Sequence, residues 1–498
     1  MKIVRPVLAA LSCLALGASA LAASDTATAA EAMPALRAPT PLTAIGDDVF
    51  FAATDDQHGR ALWKSDGTAD GTVLVKVLNP TDTPTPGNEH TYGDTYGQFA
   101  AVGRRLFFIM DDGVHGSEPW VSDGTTSGTR LVRDVHPGAT KSVITELEAR
   151  GHTLFFTLEG AKATRLWKSD GTAAGTVRVK SRDTAPVDPA ALYTWHRNVF
   201  FVAGKRGVGA GRALWKSDGS ARGTRMVEDI RPGANLDPRI EHFTGADTRL
   251  YFVANDSAER GLDDTGIWRT DGTAKGTRFV VDANVHQEVP DERPDPQLTT
   301  LGDRLLFSDT DCYHGQEPWY TDGTKSGTIM LDLQPGAPTA PYSCGPGSDP
   351  QGLIAFRDAF HLVARVDGHR TLYRSDGTPA GTVPVADLSA ETPSGAYLVS
   401  DIVAGDQLFF HVYIPATFYD DTILDTLWVS DGTADGTRQV RDFPGTADNM
   451  PTMTHFAGAG GLLFFLVRTS SGGTYADSTF ALWTSDGTPA GTGPVTGA

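Results

Sequence analysis

The sequence predicts an all-β protein, a β-propeller of about nine four-stranded antiparallel blades, and three observations lead there. One phrase recurs nine times: an aromatic, any residue, Ser or Thr, Asp-Gly-Thr/Ser, two variable residues, Gly-Thr. It begins at Trp63, Trp120, Trp167, Trp215, Trp268, Trp319, Tyr373, Trp428 and Trp483, at steps of 47 to 57 residues. A word repeated at that period marks an array of like supersecondary units. Between the words lie short apolar runs separated by turn residues, with no helical periodicity. The repeats fill the 498-residue chain from about Leu36 onward and leave no stretch for a separate catalytic domain.

The N-terminus reads as an address. Lys2 and Arg5 precede the apolar run Val7–Leu21, which suits a signal-peptide core and is too short to span a bilayer. Residues 1–29 are therefore expected to be a signal and processing region, and 30–498 a single repeat-built domain that is exported or held at the cell surface. Nothing later in the sequence resembles a spanning helix, so no membrane insertion is expected. The net charge of −19 argues against nucleic acid, whose binders need basic patches to displace counterions.

The second unit shows how each blade is built. Gln98–Val102 alternates, Gly103-Arg104-Arg105 turns, Leu106–Met110 is continuously apolar, and 111–117 is a polar loop. Glu118–Ser122 leads into Asp-Gly-Thr, and Arg130–Asp134 follows. The apolar second strand returns as Val49-Phe50-Phe51, Leu154-Phe155-Phe156, Val199-Phe200-Phe201 and so on, ending with Leu463-Phe464-Phe465. Strands apolar on both faces must be covered on both faces, and a ring of small sheets does this while leaving only short edges. The repeated Trp is expected to pack between blades. The segment Met33–Arg37 is expected to help the last blade close on the first. An eight-bladed ring with one extra unit is the alternative.

Within the phrase, Asp can accept from backbone N–H groups ahead of it, and Gly can take the positive φ of a tight hairpin. Asp66, Asp123, Asp170, Asp218, Asp271, Asp322, Asp376, Asp431 and Asp486 are thus expected to be structural turns. The phrase resembles the bacterial repeat family named for its Glu-Leu-Trp-x-x-Asp-Gly-Thr word. The leading Glu stands only at Glu118 and Glu317, and Tyr373 replaces one Trp. The resemblance implies an exported, repeat-built surface protein and assigns no chemistry.

In a four-stranded blade the 1–2 and 3–4 turns share one face of the ring. Here those turns are short and alike, and the length variation falls on the opposite face, in the 2–3 loops and the links between blades. A rigid scaffold with variable loops on one side is a common design for recognition. Three chemistries compete there. Carboxylates such as Asp111, Asp112, Asp309 and Asp311 suit calcium, which takes about six to eight oxygens, although no dedicated calcium spacing is present. His115 with Glu118, and His314 with Glu317, suit an acid/base pair or half a metal site, with His-Gly as a turn device on the other reading. Tyr92, Tyr96, Tyr342, Phe418 and Tyr419 suit stacking on sugars or anchoring of a protein. Cys312 and Cys344, both assigned to this face, form an even pair expected to make one disulfide.

The expected function is a monomeric binding or adhesion scaffold that recognises an extracellular glycan or protein without a cofactor. The alternatives are a hydrolase or lyase acting on extracellular polysaccharide, and a calcium-stabilised structural protein.

Overall fold

The structure is a computed structural model that describes residues 36–55, 57–81, 98–137, 142–182, 185–204, 211–232, 237–255, 265–283, 297–311, 313–336, 345–388, 397–414, 422–446, 451–470 and 478–495. Among the described residues thirty-six strands form nine four-stranded antiparallel sheets, each in simple chain order. The blades span 43–79, 99–131, 144–178, 187–228, 241–283, 299–330, 351–387, 397–446 and 452–494. In the second blade the strands are Phe99–Val102, Arg105–Asp111, Ser117–Ser122 and Arg130–Leu131. No α-helix occurs among the described residues, so none is long and apolar enough to cross a membrane.

The ring is closed, with nine blades rather than eight and a stray unit. Nine apolar clusters are present, one at every junction between neighbouring blades, including a junction of the ninth with the first. Adjacent residues of each second strand serve opposite junctions: Phe107 joins the cluster shared with the third blade, and Phe108 the cluster shared with the first. Alternation along a strand thus buries both faces. At the closing junction Phe464, Leu466 and Leu482 of blade nine pack on Val49, Phe51 and Trp63 of blade one. Leu36 exchanges two backbone hydrogen bonds with Phe480 of blade nine, and Arg37 exchanges two with Thr54 of blade one. The segment ahead of the first blade therefore staples the ring shut at the described part of Met33–Arg37, with no strand shared between the two end blades.

The repeated aromatic has a fixed partner. In register it faces Phe51, Phe108, Phe156, Phe201, Phe252, Phe307, Leu362, Phe410 or Phe465 on the second strand of its own blade. Six of these pairs are stacked, with ring centroids 5.9–6.4 Å apart. The pair then faces the preceding blade, as Trp120 does in the cluster that holds Phe50, Ala52 and Leu62.

Every letter of the repeated phrase has a role. In blade two, Asp123 Oδ1 accepts from the backbone N–H and the hydroxyl of Thr125. Ser122 Oγ accepts from Gly124 N and meets Thr129 Oγ1 at 2.7 Å, and Thr129 Oγ1 donates to the Thr125 carbonyl. The hydroxyl pair recurs in all nine turns at 2.6–2.8 Å. The first Gly of each turn has φ of 84–93°, a region that side chains disfavour. The second Gly is required for space. A Cβ there would lie 1.9–2.2 Å from the turn's own Asp carboxylate in all nine copies.

This predicts a specific coupling. Gly128→Ala is expected to cost about 1–2 kcal/mol in urea unfolding, because Asp123 must leave its position. In an Asp123→Ala background the same change is expected to be nearly free. An undiminished penalty in the double variant would mean that the carboxylate does not impose the glycine.

Candidate functional site

The turns on the constant face also lock neighbouring blades together. Arg105 donates to the Asp170 carbonyl of the next blade, Arg249 to Asp322, Arg304 to Asp376 and Arg357 to Asp431. From the fourth strand, Arg130 reaches the Gly171 carbonyl and Arg438 the Gly487 carbonyl. The nine turn aspartates are exposed or nearly so, and none is placed as an isolated site. The carboxyl of Asp123 is held below the ordinary Asp value, by the Thr125 hydroxyl first and then by the Thr125 N–H.

On the variable face, sequence reasoning paired His115 with Glu118 and His314 with Glu317. The structure gives each a different partner. His115 Nδ1 meets Asp112 Oδ2 at 2.7 Å, and the same carboxylate accepts from the N–H groups of Val114 and His115. His314 engages Asp311 in the same way, and His58 engages Asp55. The recurring device is Asp-x-x-His-Gly, a braced turn. Its Gly takes positive φ and lets the outgoing link cross closely, since a Cβ on Gly315 would lie 2.6 Å from Gly347 N. The hydrogen bond that the imidazole donates to Asp112 raises the His115 pKa above its ordinary value. In Asp112, burial pushes the carboxyl up, but the His115 bonds and the Val114 N–H bring it below the ordinary value.

Glu118 and Glu317 are fully buried at the base of these loops. Glu118 accepts from Val135 N at 2.8 Å and Ser142 Oγ at 2.7 Å. Glu317 accepts from Leu333 N, Gln334 N, Ser348 N and Ser348 Oγ. All these donors belong to the link toward the next blade, so each carboxylate clasps that link. Burial pushes both carboxyls up, and the donors offset only part of this, so both stay above the ordinary Glu value. Asp425, also fully buried, does a similar task in blade eight by accepting from Met453 N.

The four carboxylates considered for calcium are engaged locally. Asp111 accepts from Gly113 N and Asp309 from Thr310 N, while Asp112 and Asp311 hold the His turns. Among the described residues no group of three or more His, Cys, Asp or Glu is arranged to hold a metal. The signal region and Tyr92, Tyr96, Tyr342, Phe418, Tyr419, Cys312 and Cys344 lie outside the described residues. Their neighbours Tyr313 and Gly345 are in close backbone contact, a Cβ on Gly345 lying 1.9 Å from the Tyr313 carbonyl oxygen.

Two features escaped sequence reasoning. The first is the tip of the Asp-x-x-His turn. Tyr313 and Val114 occupy the residue before His in blades six and two, and at 74% and 67% exposure they are the most exposed large hydrophobics described. Both stand on the variable face. The second is the wall of first strands around the axis, where each blade's inner edge needs partners. Side chains supply them: Gln98 donates to Thr145 O, Glu146 accepts from Ala191 N and Leu192 N, Glu148 from Thr194 N, and Gln351 from Leu398 N. These bonds cap sheet edges that would otherwise be open. The signal for them was weak, because polar residues in a first strand look like ordinary alternation.

Asp401, on the first strand of blade eight, faces this wall beside Gly352 of blade seven. Burial pushes its carboxyl up to about 6. The folded value lies above the unfolded one of 3.8, so its contribution is most favourable below the unfolded value. That contribution falls as pH rises toward 6 and is constant above it. Asp401→Asn is therefore expected to stabilise the protein by about 1 kcal/mol at pH 7.5 and not at pH 4. Equal melting shifts at both pH values would contradict the assignment.

No family model matches the chain, and no curated protein matches it. Among solved structures it is similar to a prolyl endopeptidase from a study of two such enzymes, at 9% identity over 88% of this chain and 55% of that one, TM-score 0.43. It is also similar to puromycin hydrolase, at 14% identity over 89% and 61%, TM-score 0.39. A third is the β-propeller domain of the Trilobed protease from Pyrococcus furiosus, at 11% identity over 70% and 97%, TM-score 0.33. The chain spans 55% of the length of the first of these. At such scores the similarities support no inference about chemistry.

Proposed function

We propose that this protein is an exported propeller whose variable face binds an extracellular glycan or protein. The observation that carries this reading is the placement of Tyr313 and Val114. Braced turns hold both apolar side chains out into solvent on the face where the loops differ. An aromatic presented rigidly loses little entropy on binding and makes a natural anchor. The same geometry weakens the polysaccharide-cleaving alternative, because Glu118 and Glu317 are committed to clasping the links.

The test is retention on immobilised glycan and surface-protein panels, with the supernatant assayed for released product. Retention of a ligand without product is expected, with affinity at least about tenfold lower in Tyr313→Ala. New reducing ends would favour the enzymatic reading, and retention indifferent to Tyr313 would move the contact elsewhere. Melting in excess calcium and in chelator is expected to coincide, whereas a large calcium-dependent rise would favour the calcium-stabilised alternative.

A further inference from the structure

We infer that the constant face carries a second, unrelated site: a pocket in blade five that takes a small ligand bearing two or more closely spaced anionic groups. The pocket has a volume of about 590 Å³ and is lined by Arg249, Arg269, Lys275 and Arg278, with Asp271 and the hydroxyl-bearing Thr248 and Thr273. That size falls among small-ligand cavities of about 300–1,000 Å³. Four cations in one cavity are unusual in a chain of net charge −19.

The cluster breaks the repeat. Its four cations occupy defined positions: the residue before the apolar second strand, the one after the repeated aromatic, the second variable residue of the turn, and the one after its closing Thr. Blade five alone has a cation at all four. Blade four has three, Lys216, Arg222 and Arg225, and the others have two or fewer. Lys216 of blade four stands near this turn without lining the pocket, its Nζ 3.1 Å from where a Cβ on Gly272 would lie.

Asp303 and Asp271 offset two of the four cationic charges, and the site stays net positive. Asp303 is capped by Thr248 N and by the Thr248 hydroxyl, and Asp271 accepts from Thr273 N and the Thr273 hydroxyl. Arg249 is tied to the Asp322 carbonyl and stands 3.8 Å from Asp303. Arg278 donates its Nε to Lys275 O. Arg269 and Lys275 donate to no described residue, which leaves a guanidinium fork and an ammonium for incoming oxygens. An apolar ligand gains little in such a lining. Sulfate, phosphate or carboxylate groups spaced as on a short oligoanion match it.

The experiment is titration calorimetry of the full chain with tripolyphosphate, a sulfated disaccharide and a di-galacturonate, each at about 20 and 150 mM salt. At least one probe is expected to bind with one-to-one stoichiometry, more weakly at higher salt, and the tightest identifies which anionic group the pocket prefers. Arg269→Gln/Lys275→Gln is expected to weaken that binding at least tenfold with the melting temperature unchanged, while Lys168→Gln in blade three leaves it intact. Absence of binding by all three probes at low salt overturns the inference, as does wild-type affinity in the Arg269/Lys275 double variant.

Discussion

Glu317→Ala is expected to lower the unfolding free energy by about 3–5 kcal/mol. The carboxylate is fully buried and receives four hydrogen bonds, three from backbone N–H groups and one from the Ser348 hydroxyl. Removing it leaves those donors in a site that water reaches poorly, and an unpaired buried donor costs about 1–3 kcal/mol. Glu317→Gln is the informative companion. It keeps the volume but turns two N–H bonds of its own toward donors, so a loss of similar sign and smaller size is expected. Urea unfolding monitored by tryptophan fluorescence measures both. A catalytic role for Glu317 would give a different pattern, a protein of ordinary stability that has lost an activity. A cost under about 1 kcal/mol for the alanine variant would show that the link holds without its clasp.

The clasp marks a boundary in what the sequence makes legible. Blade number, strand order and the structural nature of Asp-Gly-Thr follow from a local word repeated at a steady step, because hairpin chemistry acts within a few residues. Glu118 and Glu317 were visible as the leading Glu of the word, but their partners lie 16 to 31 residues ahead in links that share no pattern. Nothing local distinguishes a buried carboxylate surrounded by N–H donors from one presented to a substrate. The His115 and His314 pairings failed for a related reason. Both Asp and Glu stand three residues from each His, on opposite sides. The turn returns the chain so that the earlier carboxylate meets the ring, while the later one points into the blade junction. The pocket of blade five was hidden differently. Arg269, Lys275 and Arg278 lie within ten residues, but Arg249 stands twenty residues ahead of Arg269, and only the register of the strands brings it beside them.

The second large effect concerns pH. His361 occupies, in blade seven, the second-strand position that holds Phe50, Phe107, Phe155, Phe200, Phe409 and Phe464 elsewhere. It is 2% exposed, it packs edge-on to Phe356, and neither ring nitrogen has a well-formed hydrogen bond. Burial first, and then the Arg374 guanidinium, push its imidazole down to about 4 from 6.5, with Arg357 opposing protonation and Asp358 and the Ala359 backbone favouring it weakly. The folded state therefore refuses a proton that the unfolded chain accepts. The stability tied to the neutral ring is fully present above pH 6.5 and drains away as pH falls from 6.5 toward 4. A depression of that size corresponds to about 3 kcal/mol. His361→Phe restores the ring found in six other blades and cannot take up the proton. It is expected to match or exceed the wild type at pH 7.5, gaining up to about 2 kcal/mol because no buried N–H is left unpaired. By pH 4.5 the gap is expected to widen by a further 2–3 kcal/mol or so. Turn aspartates such as Asp123 and Asp431, whose carboxyls also lie low, drain stability in acid from both proteins alike and cancel in the difference. Parallel stability curves for the two proteins between pH 7.5 and 4.5 would show that His361 is protonated in the fold as readily as outside it, and that the junction of blades seven and eight accommodates a charge.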